Sequence, residues 1–279
     1  MYGQPAERSE RDPGTDLLTR QGPIATGVDE LRSAICSGQF SVQYQPIVDV
    51  ADDLVIGAEA LVRWIHPVRG VLLPAEFIGL AEQSGLIGLI GERVLKQACL
   101  DATSWRLYRC NQAKVAVNVA DQQLRDPAFT DLVSAALAES GLPARRLVLE
   151  VTESSVAGED EVAIHTLRRL RKLGVRVAID DFGTGLSDLS RLSTMPVDLL
   201  KLDRSFITQL ETSTRARALL RGLIGMANAL GLRAVIEGIE NQQQARIVAA
   251  MGGHEGQGWL WGQPADSDQF ARDGLSPFS

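Results

Sequence analysis

The stretch FSVQYQPIVDVADDLVIGAEALV, residues 40–62, decides how the chain is read. It holds two β-branched runs, Phe40 to Val48 and Leu54 to Val62, separated by the short acidic turn Val50-Ala51-Asp52-Asp53. No helix fits in that gap, so the two runs are expected to pair as antiparallel strands. Further runs of the same kind follow at Lys114 to Val119, Leu147 to Thr152, Val175 to Asp180, Leu199 to Leu202 and Arg233 to Ile236, with a weaker one near Gly258 to Trp261. That makes about eight strands.

Between the runs lie amphipathic stretches. Ile90, Val94, Leu95, Ala98, Ala102 and Trp105 share one face at helical spacing, as do Ile164, Leu167 and Leu170, and again Leu219, Leu220, Leu223, Ala227 and Leu230. These stripes are read as core-facing. Gly141, Gly174 and Gly231 stand where a helix hands over to the next strand, as C′ residues. Strand and helix in alternation specify an α/β fold around a parallel sheet, here a modified TIM (β/α)8 barrel with an antiparallel first strand. Residues 1–26, rich in Pro, Gly, Arg and acids without a period, are expected to be a flexible N-terminal tail, and 27–279 the folded domain.

The 279 residues suit one such barrel, and a chain of this size buries about 75% of its unfolded surface. With 28 basic against 35 acidic side chains the formal charge is −7, which argues against a general binder of nucleic-acid polymers. Cys36, Cys99 and Cys110 form neither a disulfide framework nor a C-x-x-C site, so a reducing cytoplasm is expected. The first residues carry no apolar signal region. The most apolar stretch, Gly85 to Ile90, is bounded by Glu82 and Glu92 and falls short of the roughly 18 residues a span needs, so no membrane contact is expected.

Polar residues stand inside or just after the proposed strands: Gln45, Glu59, Arg63, Asn118, Glu150, Glu153, Asp180, Asp181, Lys201, Glu237, Glu240 and Gln257. In such a barrel, reactive groups gather at the carboxyl-terminal ends of the strands. Any one buried acid is explained by a strand-end ion pair, but a set arriving strand after strand needs more. Two like charges about 4 Å apart repel by about 4 kcal/mol at an effective dielectric of 20. Glu59, Glu150, Asp180, Asp181 and Glu237 on one rim exceed what Lys201 alone neutralises. A pair of hard divalent cations, Mg²⁺ or Mn²⁺, matches oxygen-only donors and the amide of Asn118. His66, His165 and His254 have no ligand spacing, so zinc is not indicated.

A two-ion oxygen site carries out in-line displacement at phosphorus, with Lys201 orienting the attacking water, neutralising charge or forming a rim salt bridge. Phe182-Gly183-Thr184-Gly185-Leu186-Ser187 reads as a loop that closely approaches a ligand, and Glu153 as its anchor or as an exposed helix-start acid.

The segment Glu59-Ala60-Leu61-Val62-Arg63-Trp64 resembles the signature of the EAL-domain cyclic di-GMP phosphodiesterases. The resemblance extends over residues 28–266, through Tyr44-Gln45-Pro46-Ile47-Val48, Val117-Asn118-Val119, Glu150-Val151-Thr152-Glu153-Ser154, Asp180-Asp181-Phe182-Gly183-Thr184-Gly185, Lys201-Leu202-Asp203, Glu237-Gly238-Ile239-Glu240 and Gln257-Gly258. It implies hydrolysis of cyclic di-GMP to linear pGpG with two Mg²⁺ or Mn²⁺ ions. Glu59, Asn118, Glu150 and Asp180 would hold the first ion, and Asp180, Asp181 and Glu237 would serve the second. Lys201 would touch the attacking water, Gln257 would support the ion and water shell, and Glu153 would anchor the loop after Asp181; with Glu59 these form the implied catalytic group. Gln45, Arg63, Asp181 and Glu240 would stand on the substrate side.

The same resemblance implies a homodimer. Leu186, Asp188, Trp259 and Trp261 depart from the usual family residues, and Asp12 to Arg20 faintly resembles the opening of a diguanylate cyclase domain without its signature. Two other readings are a catalytically inactive cyclic di-GMP receptor acting through protein partners, and an aldolase-like barrel using Lys201 as a Schiff-base amine. No sensory domain fits in 26 residues, so regulation is expected through partners, expression or oligomerisation.

Overall fold

The computed structural model describes residues 27–110, 112–156, 160–183 and 189–274. The tail expected over 1–26 and the departures Leu186 and Asp188 lie outside them. The described residues form nine strands: β1 (Phe40–Asp49), β2 (Leu54–His66), β3 (Gly70–Leu72), β4 (Lys114–Asn118), β5 (Leu147–Thr152), β6 (Arg176–Phe182), β7 (Leu199–Leu202), β8 (Arg233–Ile236) and β9 (Glu255–Gln257). Eight close a ring in the order β1-β9-β8-β7-β6-β5-β4-β2, with β1 pairing back to β2. Strand β1 is antiparallel to both neighbours, while β2, β4 and the strands through β9 run parallel. The antiparallel opening expected from residues 40–62 is therefore present.

Three details differ from expectation. The last strand is Glu255–Gln257, and Gly258 to Trp261 is the turn that follows it. The reason is Gly258: a Cβ there would stand 2.0 Å from the Ile239 carbonyl oxygen, so the chain presses against a neighbouring backbone and turns instead of extending. Strand β3, three residues long, pairs with the end of β2 as an added hairpin outside the ring. It was not anticipated, since its Gly-Val-Leu is too short to show a period.

The helices are α1 (Val28–Cys36), α2 (Ile78–Gln83), α3 (Ile87–Ser104), α4 (Asp121–Leu124), α5 (Phe129–Ser140), α6 (Glu161–Lys172), α7 (Leu189–Leu192), α8 (Thr214–Ala229), α9 (Gln242–Ala250) and α10 (Ser267–Asp273). The α3 stripe is buried from Ile90 to Ala102 and continues into Trp105, and Leu167 and Leu170 of α6 are buried with Ile164 half-buried. On α8 the third difference appears: Leu220 and Ala227 are buried with Ile224, whereas Leu219 and Leu230 are exposed. Much of a folded protein's surface is apolar, so an exposed leucine is ordinary and spacing alone misplaced the edge of the face. Gly141, Gly174 and Gly231 adopt φ of +73°, +90° and +72°, as C′ residues do.

Two apolar clusters divide the core. The larger fills the shell between ring and helices, and a small one, Ile47, Ala116, Val148, Ala178, Leu199 and Val235, fills the barrel interior. Because side chains alternate along a strand, a residue two positions away from each interior member points the same way. Two positions toward one end come Gln45, Asn118, Glu150, Asp180, Lys201 and Glu237, with Glu59 opposite Gln45 and with Gln257 supplied by β9, opposite Ile47. Two positions toward the other come Lys114 and Arg233, joined there by Glu255 of β9. The interior is thus an apolar layer between two polar ones.

Candidate active site

The polar layer at the carboxyl-terminal ends of the parallel strands opens into a cleft of about 380 Å³, walled by Gln45, Glu59, Asp180, Lys201, Glu237 and Glu240 together with Asp203, Arg204, Gly238, Gln257, Gly258 and Trp259. At its floor Lys201 is almost wholly buried, 1% exposed. Its Nζ lies 2.8 Å from Glu150 Oε2, 2.8 Å from Glu237 Oε1, 2.9 Å from Asp180 Oδ1 and 3.5 Å from Glu59 Oε2. Burial alone lowers the pKa of this ammonium, but Glu150, Glu59, Glu237 and Asp180 outweigh it and hold the group well above the ordinary lysine range. A cation so fixed supplies no free amine for a Schiff base.

Glu59 is oriented by three donors. Asn118 Nδ2 donates to its Oε1 at 2.7 Å, and Gln257 Nε2 donates to its Oε2 at 2.8 Å beside the Lys201 ammonium. Burial pushes its carboxyl up, yet Lys201 and the two amides pull it below the usual glutamate value. Gln257 Nε2 also donates to Gln45 Oε1 at 3.0 Å, which fixes the amide and leaves its Oε1 buried without a hydrogen-bond partner among the described residues. Such an atom is normally satisfied by water or a cation.

The adjacent Asp180 and Asp181 face a geometric difficulty, since neighbours on a regular strand point to opposite sides. The ladder solves it. Ile179 is opposite Leu200 and Phe182 opposite Leu202, so the two aspartates together oppose Lys201 alone across a bulge. Asp181 takes φ +53°, a left-handed conformation that aspartate tolerates, with its N–H donating to Asp180 Oδ1 at 3.0 Å. One carboxylate oxygen each from Asp180, Asp181 and Glu237 then lie within 4.8 Å of one another.

Crowding shows in the acids themselves. Burial, then the charges of Glu59 and Asp180, raise Glu150 well above the carboxylate range against the pull of Lys201. Glu237 is pushed up to about 7, first by burial and then by Asp180 and Glu59, with Lys201 opposing. Asp181 is raised by burial and by Asp180. Oxygen donors in excess of their cation, with an orphaned amide oxygen beside them, are the donor set of hard divalent ions.

Glu153 opens a short turn at 153–156, and its Oε2 accepts from Gly183 N at 3.4 Å, one residue past the bulge strand. Glu240 lines the cleft, its N–H bonded to Gln244 Oε1. Arg63 is not part of the wall: it is buried, with Nε donating to Gln43 Oε1 at 2.8 Å and an Nη to the Val62 carbonyl. Trp259 is 65% exposed at the rim, whereas Trp261 is buried with Nε1 donating to Asp53 Oδ1. The sequence reading assigned no role to Arg204 or Asp203. Their signal was position, directly after a strand end on the reactive side.

The EAL domain family model matches residues 28–264. Uncharacterized protein y4lL of Sinorhizobium fredii is 44% identical over 239 residues, which are 86% of this chain and 28% of that protein. Cyclic di-GMP phosphodiesterase NbdA of Pseudomonas aeruginosa is 42% identical over 259 residues, 92% of this chain and 33% of that one. The chain thus spans a third or less of the length of these two relatives. Among solved structures, PaMucR phosphodiesterase in its c-di-GMP complex has a TM-score of 0.79 at 35% identity, covering 87% of this chain and 98% of that one. No helix among the described residues is long and apolar enough to cross a membrane. With the family match running through the barrel and through every strand end that builds the cleft, the chain belongs to the EAL domain family.

Proposed function

We propose that this chain is a cytoplasmic, homodimeric phosphodiesterase that opens cyclic di-GMP to linear pGpG, using two Mg²⁺ or Mn²⁺ ions. The observation that carries the reading is the convergence of Glu59, Glu150, Asp180 and Glu237 on one buried ammonium, with Asp181 brought alongside by the bulge. That set carries more negative charge than one lysine offsets, and Glu59, Asp180 and Glu237 line the cleft. Glu59, Asn118, Glu150 and Asp180 would hold one ion; Asp180, Asp181 and Glu237 would hold the other. Bound there, the ions would acidify a water and neutralise phosphoryl oxygens.

The chain's own groups do the positioning. Asn118 and Gln257 clamp the two oxygens of Glu59, so its carboxylate cannot rotate as charge builds nearby. Lys201 gathers four acids within 3.5 Å of its ammonium and places a fixed positive charge below the phosphoryl group. Glu153 tethers the backbone just beyond Asp181, while Gln45, Asp181 and Glu240 face the substrate, with Arg63 supporting the rim through Gln43. In the reaction the water oxygen bonds to phosphorus as the P–O3′ bond breaks. The 3′ oxygen takes up a proton, and a 5′-phosphate remains.

The test is a chromatographic product assay with added Mn²⁺, comparing the wild type with Glu59→Gln. Conversion to pGpG by the wild type, reduced at least about 100-fold in the variant, supports the reading. Tight binding of the dinucleotide with no pGpG after long incubation would instead select the receptor reading.

A further inference from the structure

We infer that Arg204 binds the second, non-reacting phosphate of the cyclic dinucleotide and so sets preference for a two-phosphate substrate. The inference rests on the phosphodiesterase reading above. A cyclic dinucleotide carries two phosphodiester anions, and the ion-binding acids account for only one of them. Positive charge elsewhere in the cleft would hold the other through charge-assisted hydrogen bonds.

Among the described residues the wall carries five acids, Glu59, Asp180, Asp203, Glu237 and Glu240, against two cations, Lys201 and Arg204. Lys201 is engaged by four carboxylates at the floor. Arg63 is turned toward Gln43 and Val62. Arg204 is exposed to the cleft, and its guanidinium forms no ion pair among the described residues. A planar fork of N–H donors in that state matches a phosphate through paired hydrogen bonds.

Its position is also built. Asp203 caps the turn at 204–206 by accepting from Ser205 N at 2.9 Å, and Ile207 N donates to the Arg204 carbonyl at 2.9 Å. Across from it Gly238 adopts φ +75°, and a Cβ there would stand 2.4 Å from Arg204 Cβ. The turn that carries Glu237 and Glu240 therefore closes directly on the stem of Arg204. That contact fixes the root of the side chain beside the ion-binding acids and leaves its tip to the substrate.

The experiment compares cyclic di-GMP with bis(p-nitrophenyl) phosphate, a diester with one phosphate, in the wild type, Arg204→Ala and Arg204→Lys. Arg204→Ala is expected to cut the ratio of the two kcat/KM values by about 10- to 100-fold, chiefly through KM for the dinucleotide, with part recovered in Arg204→Lys. Calorimetric binding of cyclic di-GMP without added divalent ion is expected to weaken by a similar factor, and this readout stands even if the chain proves catalytically silent. Equal losses on both substrates, or unchanged dinucleotide binding and KM, would overturn the inference. A wild type that binds the dinucleotide but makes no pGpG would refute the phosphodiesterase reading while the binding comparison still decides the role of Arg204.

Discussion

Beneath the apolar layer, at the pole opposite the cleft, Lys114 and Glu255 form an ion pair with side chains 8% and 2% exposed, and Arg233 Nε donates to the other Glu255 oxygen at 2.9 Å. Replacing Glu255 by Gln leaves the Lys114 ammonium buried without a counter-charge. Breaking such a pair from one side costs about 3–5 kcal/mol. For a domain of this size, about 2–4 °C per kcal/mol gives a fall in Tm of about 6–20 °C. Lys114→Met is milder, about 1.5–3 kcal/mol, because Glu255 keeps Arg233, whose side chain is 42% exposed and reaches water. Lys114→Met combined with Glu255→Leu removes both buried charges and recovers most of the loss.

Acid adds a second readout. Burial pushes the Glu255 carboxyl up, but Lys114 and Arg233 outweigh it and hold it below the usual glutamate value. A depressed folded-state value means that the stabilisation is fully present above the unfolded value of about 4.3 and is lost as pH falls through the lower folded one. The gap between wild type and Glu255→Gln should therefore narrow below about pH 4. Urea and thermal unfolding of the four proteins at pH 7 and pH 3.5 measure all of this. A Glu255→Gln variant within about 1 kcal/mol of wild type, or Lys114→Met as the more damaging single change, would refute the account of the pole.

Divalent ions should act as stabilisers at the other pole. At an Mn²⁺ concentration 100 times its Kd the gain is about 2.7 kcal/mol, or about 5–11 °C in Tm, reversed by EDTA and largely lost in Asp181→Asn or Glu237→Gln by differential scanning fluorimetry. Gly258→Ala should destabilise by about 3 kcal/mol or more, because the added methyl meets the Ile239 backbone at 2.0–2.6 Å and neither segment can retreat; chemical denaturation checks it. Lys201→Met should abolish turnover and, without divalent ion, lower Tm, since four carboxylates lose their shared cation; Mn²⁺ should restore more stability to it than to the wild type.

The sequence by itself determined the element order, the antiparallel opening and the membership of the polar layer. Each of these is a local or periodic property: the gap at Val50 to Asp53 is too short for a helix, and Glu150, Asp180, Lys201 and Glu237 stand two residues beyond apolar interior positions on their own strands. Local pattern misplaced the last strand and one edge of α8, where a backbone approach and an exposed leucine decided the outcome. The charge pair of Lys114 with Glu255, 141 residues apart, was illegible because nothing in one segment signals its partner in another.

Only the tertiary structure decided how neighbouring aspartates face one cleft, since this needs the bulge against β7 and the left-handed backbone at Asp181. It also turned Arg63 toward Gln43 and left Arg204 lining the cleft with no ion pair among the described residues. Side-chain direction along a strand repeats with a fixed period and so can be read from sequence. Which charges meet, and which remain free for a ligand, depends on ring closure bringing distant strands within a few ångströms, where the Coulomb and desolvation terms that govern a site first become large.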